Sequence, residues 1–451
     1  MRLAKSKVHF IGIGGIGMSG LAELLHNMGA KVSGSDLADN ANVQRLKQLG
    51  VKTFIGHERA NVIDADVVVY SSAVNFENPE IVEAKSRRIP IIPRAEVLAE
   101  IMRIKRGIAV GGTHGKTTTT SMIATIMIQG NFDPTVVVGG RLDLIKSNSF
   151  LGQGDWLVAE ADESDGSFLK LSPEISIVTN IDNDHMEFFK SDENLDRAFL
   201  DFAARIPFYG VAIACGDDQR IRRVFKDFNK NIYFYGFNEG NDFRLAGEKG
   251  RYKVYKDKRE IGSFALSLPG RHNALNAVAS IIAGLEVGIP FETCAEALNS
   301  FLGVDRRFQL KGEAKGVRVY DDYGHHPTEV RAVLSAFREK FPERRLVALF
   351  QPHRYTRTQT CWTEFCESFN LADQVYVMDI YSAGEKPVAN VTAERLAAEM
   401  KGTKATYVGD GARAVQTAVQ NLKEGDIFVT LGAGDVWKSG MKVLELLGSR
   451  A

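Results

Sequence analysis

Ile108-Ala-Val-Gly-Gly-Thr-His-Gly-Lys-Thr-Thr-Thr-Thr120 is the stretch of this 451-residue sequence that decides the fold of its central part. It contains an apolar strand, a glycine-rich turn and a helix that we expect to begin at Lys116. In such a turn, backbone N–H groups and the positive end of the helix dipole converge on phosphate oxygens. The lysine provides a charge for the outer phosphates, and the Thr117 hydroxyl is a ligand for Mg²⁺. The residues predicted to bind the nucleotide here are Gly112, Thr113, His114, Gly115, Lys116, Thr117 and Thr118.

The spacing of this segment departs from the common phosphate loop, G-x-x-x-x-G-K-[ST], because Val110 occupies the position of the first glycine. A turn of this composition can also have a purely structural role. The apolar strand before it and the apolar helical residues Met122–Ile128 after it favour nucleotide binding. The sequence therefore predicts that the chain binds ATP.

Composition and charge limit the classes of protein to which the chain can belong. Its length is typical of about three domains. The 56 basic residues balance the 56 acidic ones, so we expect no attraction to nucleic acid or to an anionic membrane. The four cysteines are scattered along the chain, which favours the reducing cytoplasm over a disulfide framework. Glycines interrupt the apolar residues near the N-terminus, so we predict neither a signal peptide nor a membrane span.

The N-terminal part has the pattern of a Rossmann-like domain. A short apolar strand precedes Gly12-Ile-Gly-Gly-Ile-Gly17, and an amphipathic helix, Met18–Met28, follows. Asp36 comes after the next strand, where such domains place an acid for a ribose hydroxyl. Ser71 follows a further strand, at the edge where ligands bind in open α/β sheets. The pattern by itself indicates a site for a diphosphate or a similar anion.

Two strands downstream of the phosphate loop end in polar residues. Trp156–Glu160 leads into an acidic run, where a nucleotide-bound Mg²⁺ finds carboxylates, and Glu160 is best placed because it ends the strand. Ile175–Thr179 leads into a second acidic loop, which contains His185. Spacing alone leaves a structural role and a metal-binding role for this histidine equally open.

The end of the central part combines a predicted sheet with a helix. Arg244–Leu268 alternates apolar and polar residues, which predicts a short antiparallel sheet. A helix follows, running to about Val287, and Asn273 lies at its start. This asparagine either caps the helix or pairs with an adenine, and both roles remain open.

The C-terminal part begins after a linker at 303–307 and alternates strands with helices, as in a parallel sheet. Its predicted strands are 317–321, 345–350, 374–379 and 426–431. Two polar loops, Asp321–Glu329 and Gln351–Arg357, follow the first and second strands, where ligands of open sheets collect. Arginine pairs in such a loop bind carboxylate or phosphate bidentately, although two polar surface loops would also fit the pattern.

These parts predict an α/β fold with a Rossmann-like domain at 1–100, a central P-loop ATPase-type domain at 104–303 and a C-terminal Rossmann-like domain at 304–451. Since only the middle domain has a phosphate loop, the arrangement suits an ATP-driven joining reaction better than simple hydrolysis. Phosphorylating a carboxylate creates a good leaving group, and the acyl phosphate must be shielded from water until an amine attacks.

Four motifs together resemble the Mur ligases over nearly the whole chain. They are Gly12-Ile-Gly-Gly-Ile-Gly-Met-Ser-Gly20, Gly112-Thr-His-Gly-Lys-Thr-Thr-Thr-Thr120, Asp321-Asp-Tyr-Gly-His-His-Pro-Thr-Glu329 and Phe350-Gln-Pro-His-Arg-Tyr-Thr-Arg357. The resemblance implies three domains, for a UDP-linked substrate, for ATP with Mg²⁺ and for an incoming amino acid. It also implies that L-alanine is joined to UDP-N-acetylmuramate in peptidoglycan precursor synthesis. We expect a monomer or a homodimer.

The resemblance further implies roles for individual residues. Those implied to take part in catalysis are Lys116, Glu160, His185, Arg307, Asp322 and Arg354. Thr117, Glu160 and His185 match the metal-binding set, Asn273 and Asn276 match the adenine-side asparagines, and Asp322 matches a ribose-side acid. The residues implied around the amino acid and the reacting carboxylate are Tyr323, His325, His326, His353, Arg354 and Arg357. Those implied on the UDP side are Gly14, Gly15, Ile16, Asp36 and Ser71.

Three other functions remain open from the sequence. A related ligase that adds a recycled tripeptide to the same sugar nucleotide shares the loop motifs. An NAD-dependent dehydrogenase would fit Gly12–Gly17 with Asp36, but it leaves the Lys116 loop unexplained. A regulatory protein that binds nucleotides without catalysis is the third. No residue is an obvious general base, and His185 and His325 are candidates from their loop positions.

Overall fold

The structure, a computed structural model, describes residues 5–71, 74–142 and 147–449. Its contacts divide the chain into two compact units. The first comprises Met1–Ala246, Tyr252–Ala265 and Leu275–Phe301, and the second comprises Gly247–Arg251, Leu266–Ala274 and Leu302–Ala451. The predicted boundaries of the three domains therefore stay a prediction. Within the described residues, no helix is both long and apolar enough to cross a membrane.

The N-terminal sheet of the first unit has five parallel strands in the order β3-β2-β1-β4-β5. Its elements are β1 Lys7–Ile11, α1 Ile16–Asn27, β2 Lys31–Asp36, α2 Ala41–Gln48, β3 Lys52–Ile55, β4 Val67–Tyr70, α3 Pro79–Ser86, β5 Ile91–Pro93 and α4 Arg94–Met102. This is the strand order of a doubly wound Rossmann-like sheet, which confirms the predicted fold. The order reverses between β1 and β4, so the glycine turn after β1 and Ser71 after β4 flank the same crevice.

The central sheet has ten strands in the order β15-β14-β13-β12-β11-β10-β6-β9-β7-β8. Its elements are β6 Arg106–Gly111, α5 Lys116–Gln129, β7 Thr135–Leu142, β8 Ser147–Phe150, β9 Trp156–Glu160, β10 Ile175–Val178, α6 Met186–Phe189, α7 Asp192–Ala203, β11 Val211–Cys215, α8 Gln219–Val224, β12 Ile232–Gly236, β13 Phe243–Glu248, β14 Arg251–Lys256, β15 Arg259–Ala265, α9 Arg271–Glu286 and α10 Phe291–Asn299. The strand before the phosphate loop, β6, is apolar and buried because parallel strands lie on both sides of it.

The sheet of the second unit has six strands in the order β16-β17-β21-β18-β19-β20. Its elements are β16 Gln309–Ala314, β17 Val317–Asp322, α11 Pro327–Lys340, β18 Leu346–Phe350, α12 Tyr355–Thr360, α13 Trp362–Cys366, β19 Gln374–Met378, α14 Ala393–Glu399, β20 Lys404–Gly409, α15 Gly411–Asn421, β21 Ile427–Leu431 and α16 Val436–Ser449. The sheet is parallel except for β16, which pairs antiparallel at the edge.

The structure differs from the sequence prediction at the start of helix α1 and at the edges of the C-terminal sheet. Helix α1 begins at Ile16 rather than at Met18, because the glycine turn is complete by Gly15. The two edge strands β16 and β20 were not predicted. Both carry lysine and other polar residues and are only partly buried, so neither has the apolar run or the clean alternation that indicates a strand.

The aromatic core of the second unit offers a test of its packing. Phe369 has no exposed surface, and its ring centre lies 4.9 Å from that of Phe350. We expect Phe369→Ala to destabilise this unit by about 3–5 kcal/mol, because the cavity it leaves cannot collapse fully. Scanning calorimetry of the whole chain should show a lower midpoint for the affected transition. Leu302→Ala, at an 85% exposed position, is the control, and equal midpoints for the two variants would contradict the packing.

Candidate active site

The phosphate loop needs glycine at two positions. Gly112 and Gly115 have positive φ angles of 125° and 85°. A Cβ atom on Gly112 would lie 2.0 Å from Oγ1 of Thr179, and one on Gly115 would lie 2.7 Å from Oδ1 of Asn276. Helix α5 begins at Lys116, as predicted. Both the positive φ angles and the lack of room for a Cβ atom therefore require glycine at these two positions.

Asn180, which sequence reasoning did not single out, clamps the turn from the end of β10. Its carbonyl oxygen accepts from the Thr113 N–H at 3.1 Å, and its Oδ1 accepts from the His114 N–H at 2.8 Å. Its Nδ2 donates to the carbonyl oxygen of His114 at 2.9 Å. Two of the four turn N–H groups expected to meet phosphate therefore already have acceptors. The other two N–H groups of the turn belong to Gly112 and Gly115, and the first N–H groups of α5, which have no partner within the helix, add further donors directly after them.

Lys116 is mostly buried, with 14% of its side chain exposed, and is held by the loop from which it projects. Its Nζ donates to the carbonyl oxygens of Gly112 at 2.7 Å and Thr113 at 3.0 Å. It also forms an ion pair with Glu163, with N–O distances of 2.9 and 2.8 Å. Burial favours the neutral amine, but the carboxylates of Glu163 and Glu160 outweigh it, so the pKa of Lys116 is raised. The amine stays charged beside the place where the loop would receive phosphate.

Two of the three predicted metal ligands are in contact. The Thr117 hydroxyl lies 3.0 and 3.1 Å from the two carboxylate oxygens of Glu160, the last residue of β9. A hydroxyl and a carboxylate next to a phosphate-binding lysine are the hard oxygen donors that suit Mg²⁺. His185 lies on the loop after β10, on the other side of β6, with a left-handed backbone at φ 56°. Its role as the third ligand stays a prediction.

The two predicted adenine-side asparagines lie on consecutive turns of α9. The helix begins at Arg271, so Asn273 lies inside its first turn and the N-cap role considered for it was wrong. Its Nδ2 donates to the carbonyl oxygen of Pro269 at 2.8 Å. The Asn276 side chain is directed at Gly115 of the phosphate loop.

The glycine turn of the N-terminal sheet is held by Asp36. One carboxylate oxygen accepts from the Gly14 N–H at 2.8 Å and the other accepts from the Ala38 N–H at 3.1 Å. Ser71 lies beside the same turn, close to Gly12. Because both oxygens already accept backbone hydrogen bonds, the predicted contact of Asp36 with a ribose would have to share them. The side chain of Ile16 and residues 72 and 73 lie outside the described part of the chain.

Arg94 is a second residue that the sequence did not indicate. It is the first residue of α4, and a Cβ on Gly17, in the first turn of α1, would lie 2.7 Å from its Nη1. Its guanidinium also lies 3.5 Å from the Asp162 carboxylate. The arginine thus brings a positive charge to the helix N-terminus that the sequence predicted to bind an anion.

In the second unit, Asp322 ends β17 and is buried. Its carboxylate accepts from the N–H groups of Phe308 and Gly324, both at 2.7 Å. Burial raises its pKa to about 6, although the Arg307 guanidinium and the two N–H groups favour the charged form. Arg307 lies 3.5 Å from Glu329. Arg307 and Asp322, both predicted site residues, therefore lie close enough to interact electrostatically.

The predicted amino-acid loops of the second unit meet at the carboxyl ends of β17 and β18. The His325 ring lies 5.3 Å from that of Tyr323 and 5.8 Å from that of His353. Arg357 contacts Nδ1 of His353 at 3.4 Å. Arg354 has an unusual backbone conformation for a side-chain-bearing residue, with φ 67° and ψ 141°, and such strain is common at functional sites.

His326 differs from its neighbours because it has a structural role. It is the N-cap of α11, where its side chain accepts from Thr328 N–H and Glu329 completes a capping box. Its Nε2 lies 3.7 Å from Sγ of the buried Cys361. Its predicted role in binding substrate stays a prediction.

A phosphate loop and a Rossmann-like sheet in one chain define a nucleotide-dependent α/β enzyme. Three family models match it in sequence: Mur ligase family, catalytic domain, over residues 7–106; Mur ligase middle domain over 110–284; and Mur ligase, glutamate ligase domain, over 306–434. The chain belongs to the Mur ligase family.

Its relatives cover the whole chain. It is 62% identical to the UDP-N-acetylmuramate–L-alanine ligase of Bdellovibrio bacteriovorus, over 99% of this chain and 100% of the relative. It is 51% identical to the enzyme of that name from Geobacter sp. strain M21, over 97% of each chain. The solved UDP-N-acetylmuramate-alanine ligase of Thermotoga maritima matches with a TM-score of 0.83 and 30% identity, covering 99% of this chain and 100% of that one.

We predict that Gly112→Ala weakens ATP binding more than tenfold, because the added methyl group collides with Thr179 and shifts the turn. The dissociation constant of a fluorescent ATP analogue measures the effect. Gly240→Ala is the matched control, since its φ is also positive, at 88°, and nothing lies within 4 Å of the added carbon. Equal affinities for the two variants would show that the packing of the loop does not control binding.

Proposed function

We propose that this chain is the ATP-dependent ligase that joins L-alanine to the carboxylate of UDP-N-acetylmuramate, in peptidoglycan precursor synthesis. The observation that carries the proposal is the charged Lys116 inside the phosphate loop, next to the paired Thr117 hydroxyl and Glu160 carboxylate. The relatives that span the full chain and have this activity in their names support the choice of substrates.

The reaction begins with transfer of the γ-phosphoryl group of ATP to the sugar-nucleotide carboxylate, which forms an acyl phosphate and ADP. Lys116 and the N-terminus of α5 offset the negative charge on the phosphoryl oxygens. Thr117 and Glu160, with His185 as the proposed third ligand, would hold Mg²⁺. When bound, this ion neutralises further phosphate charge.

The amine of alanine then attacks the acyl phosphate, and the tetrahedral intermediate loses phosphate to leave the amide. We assign the binding of alanine and of the reacting carboxylate to the residues around His353, with Arg354 and Arg357 pairing with carboxylates. We place His325 there because its ring lies 5.8 Å from that of His353, and Tyr323 because its ring lies 5.3 Å from that of His325. Arg307 and Asp322 act on ATP, with Asp322 on the ribose. Asn273 and Asn276 act on the adenine.

The remaining assignments concern the anion site and the organisation of the chain. The diphosphate of the sugar nucleotide would bind at the glycine turn before α1, next to Arg94. We keep the three domains at 1–100, 104–303 and 304–451, a cytoplasmic location, and a monomer or homodimer as parts of the proposal.

His325 is our candidate for the base that takes the alanine ammonium proton. Its Nδ1 lies 3.1 Å from the Tyr323 carbonyl oxygen, which can only accept a hydrogen bond. This contact favours a proton on Nδ1, so that Nε2 has the basic lone pair. His185, the other candidate, would be a poor base if it coordinates Mg²⁺.

We expect His325→Gln to lower kcat by about 10²–10⁴-fold, the usual contribution of a general base, and to change the shape of the pH–rate profile. Steady-state rates between pH 6 and 9.5 measure both effects. His26→Gln, on α1, is the control for a histidine outside the site. An unchanged kcat and profile would exclude His325 as the base.

The ligase assignment is tested by phosphate release from Mg-ATP with UDP-N-acetylmuramate, with and without L-alanine. We expect release that requires both substrates and is abolished in Lys116→Ala. Release with a tripeptide but not with alanine would assign the chain to the recycling ligase instead. Absence of release with either amine substrate would leave only nucleotide binding.

A further inference from the structure

Glu163 is a buried carboxylate for which the reaction described above has no role. It lies three residues beyond the proposed metal ligand Glu160 and is 2% exposed. Its position is fixed by the loop, because its carbonyl oxygen accepts from the Gly166 N–H at 2.9 Å. An overlapping turn begins one residue earlier, in which the Asp162 carboxylate accepts from the Ser164 N–H at 3.0 Å. The carboxylate therefore occupies a defined place in the floor of the nucleotide site.

The partner of Glu163 is the lysine that must bind phosphate. Both carboxylate oxygens lie within 2.9 Å of Lys116 Nζ. The two other contacts of Nζ are the carbonyl oxygens of Gly112 and Thr113. An ammonium group has three donors, and these three partners use all of them. A phosphate oxygen can therefore accept a hydrogen bond from Nζ only if it displaces one of these three partners.

The three partners of Nζ differ in how readily they can be displaced. The two carbonyl groups belong to the clamped turn, which cannot move without losing its contacts with Asn180. Glu163 is the one with a negative charge, and a phosphate at Nζ would place further negative charge beside it. Like charges in a buried site repel strongly, and a buried carboxylate avoids the conflict by taking up a proton.

The surroundings of Glu163 favour this change. Burial and the neighbouring Asp162 together raise the pKa of Glu163 to about 7, even though Lys116 lowers it. Of the other charged groups in this region, Glu160 acts on the same lysine and Arg94 on Asp162. Once Lys116 binds phosphate instead, Glu163 loses the strongest interaction that favours its charged form, and the hydrogen bond from its own backbone N–H favours that form less.

We propose that Glu163 is a positioning residue that holds Lys116 before the nucleotide binds and is displaced by the phosphates of ATP, taking up a proton as it leaves the ion pair. The lysine thus stays charged and correctly directed before the nucleotide arrives. The inference rests on the proposed function, since it concerns the ATP that the ligase uses. It makes nucleotide binding a proton-coupled step.

The direction in which pH changes the affinity for ATP follows from the thermodynamic linkage between ATP binding and proton uptake. The ATP complex binds more protons than the free protein, so affinity falls as pH rises above the pKa of the free carboxyl group, by up to tenfold per pH unit. ATP itself is fully ionised above pH 7.5 and adds no slope of its own there. Glutamine in place of Glu163 cannot titrate, so the slope should disappear and binding at high pH should become tighter.

The test is titration calorimetry of Mg-ATP binding without the sugar nucleotide, from pH 7.5 to 9, in buffers of different ionisation enthalpy. The wild-type chain should take up as much as one proton on binding. Glu163→Gln should take up none and bind ATP about tenfold more tightly at pH 8.5, with a lower KM for ATP and little change in kcat. Glu163→Asp, which keeps a carboxylate, should show part of the pH dependence of ATP affinity that Glu163→Gln lacks.

Asp162→Asn is the matched control, because it removes one negative charge from the same segment without removing the ion pair to Nζ. It should keep the proton uptake. No uptake by the wild-type chain, or equal slopes in wild type and Glu163→Gln, would overturn the proposal. A Glu163→Gln variant that folds but loses ATP affinity would also overturn it. A wild-type chain that does not bind ATP at all would instead contradict the proposed function.

Discussion

The close packing of the Gly112–Gly115 turn against the end of β10 is the constraint on which the nucleotide site depends. There is no room for a side chain at Gly112, because Thr179 occupies that space, and Asn180 holds the turn by backbone and side-chain hydrogen bonds. A turn fixed in this way starts α5 at Lys116 and directs the lysine back over its own carbonyl groups. A phosphate that binds there would then change the partners of the lysine rather than its position or its charge.

The strand order explains why residues far apart in sequence meet at this turn. Strand β6 lies between β9 and β10, and the carboxyl ends of all three parallel strands are at one edge of the sheet. Glu160 therefore reaches Thr117 from one side, and Asn180 reaches the turn from the other. The same rule places Ser71 beside the glycine turn of the N-terminal sheet. The same feature of parallel sheets, ligand-binding loops at the carboxyl ends of the strands, therefore underlies both predicted anion sites of the first unit.

The sequence predicted the features that depend on local pattern. The start of α5, the Rossmann-like fold of the N-terminal part and the choice of Thr117 and Glu160, which the structure brings into contact, follow from glycine spacing, apolar strands and strand-end acids. Asn180, Glu163 and Arg94 could not be found in this way, because each acts on a residue 47 to 77 positions away and has no spacing signature of its own. Edge strands β16 and β20 escaped prediction because their polar faces are solvated. The capping role of His326 was not predicted because the residue belongs to a motif whose residues were all interpreted as functional.

Transfer of oxygen from the sugar-nucleotide carboxylate to phosphate distinguishes a ligase that forms an acyl phosphate from an enzyme that merely hydrolyses ATP. UDP-N-acetylmuramate labelled with ¹⁸O in its carboxylate should therefore be incubated with Mg-ATP and L-alanine, and the released phosphate should be analysed by mass spectrometry. If the carboxylate is phosphorylated before the amine attacks, each phosphate carries one ¹⁸O atom. Unlabelled phosphate formed together with the amide would contradict the proposed reaction.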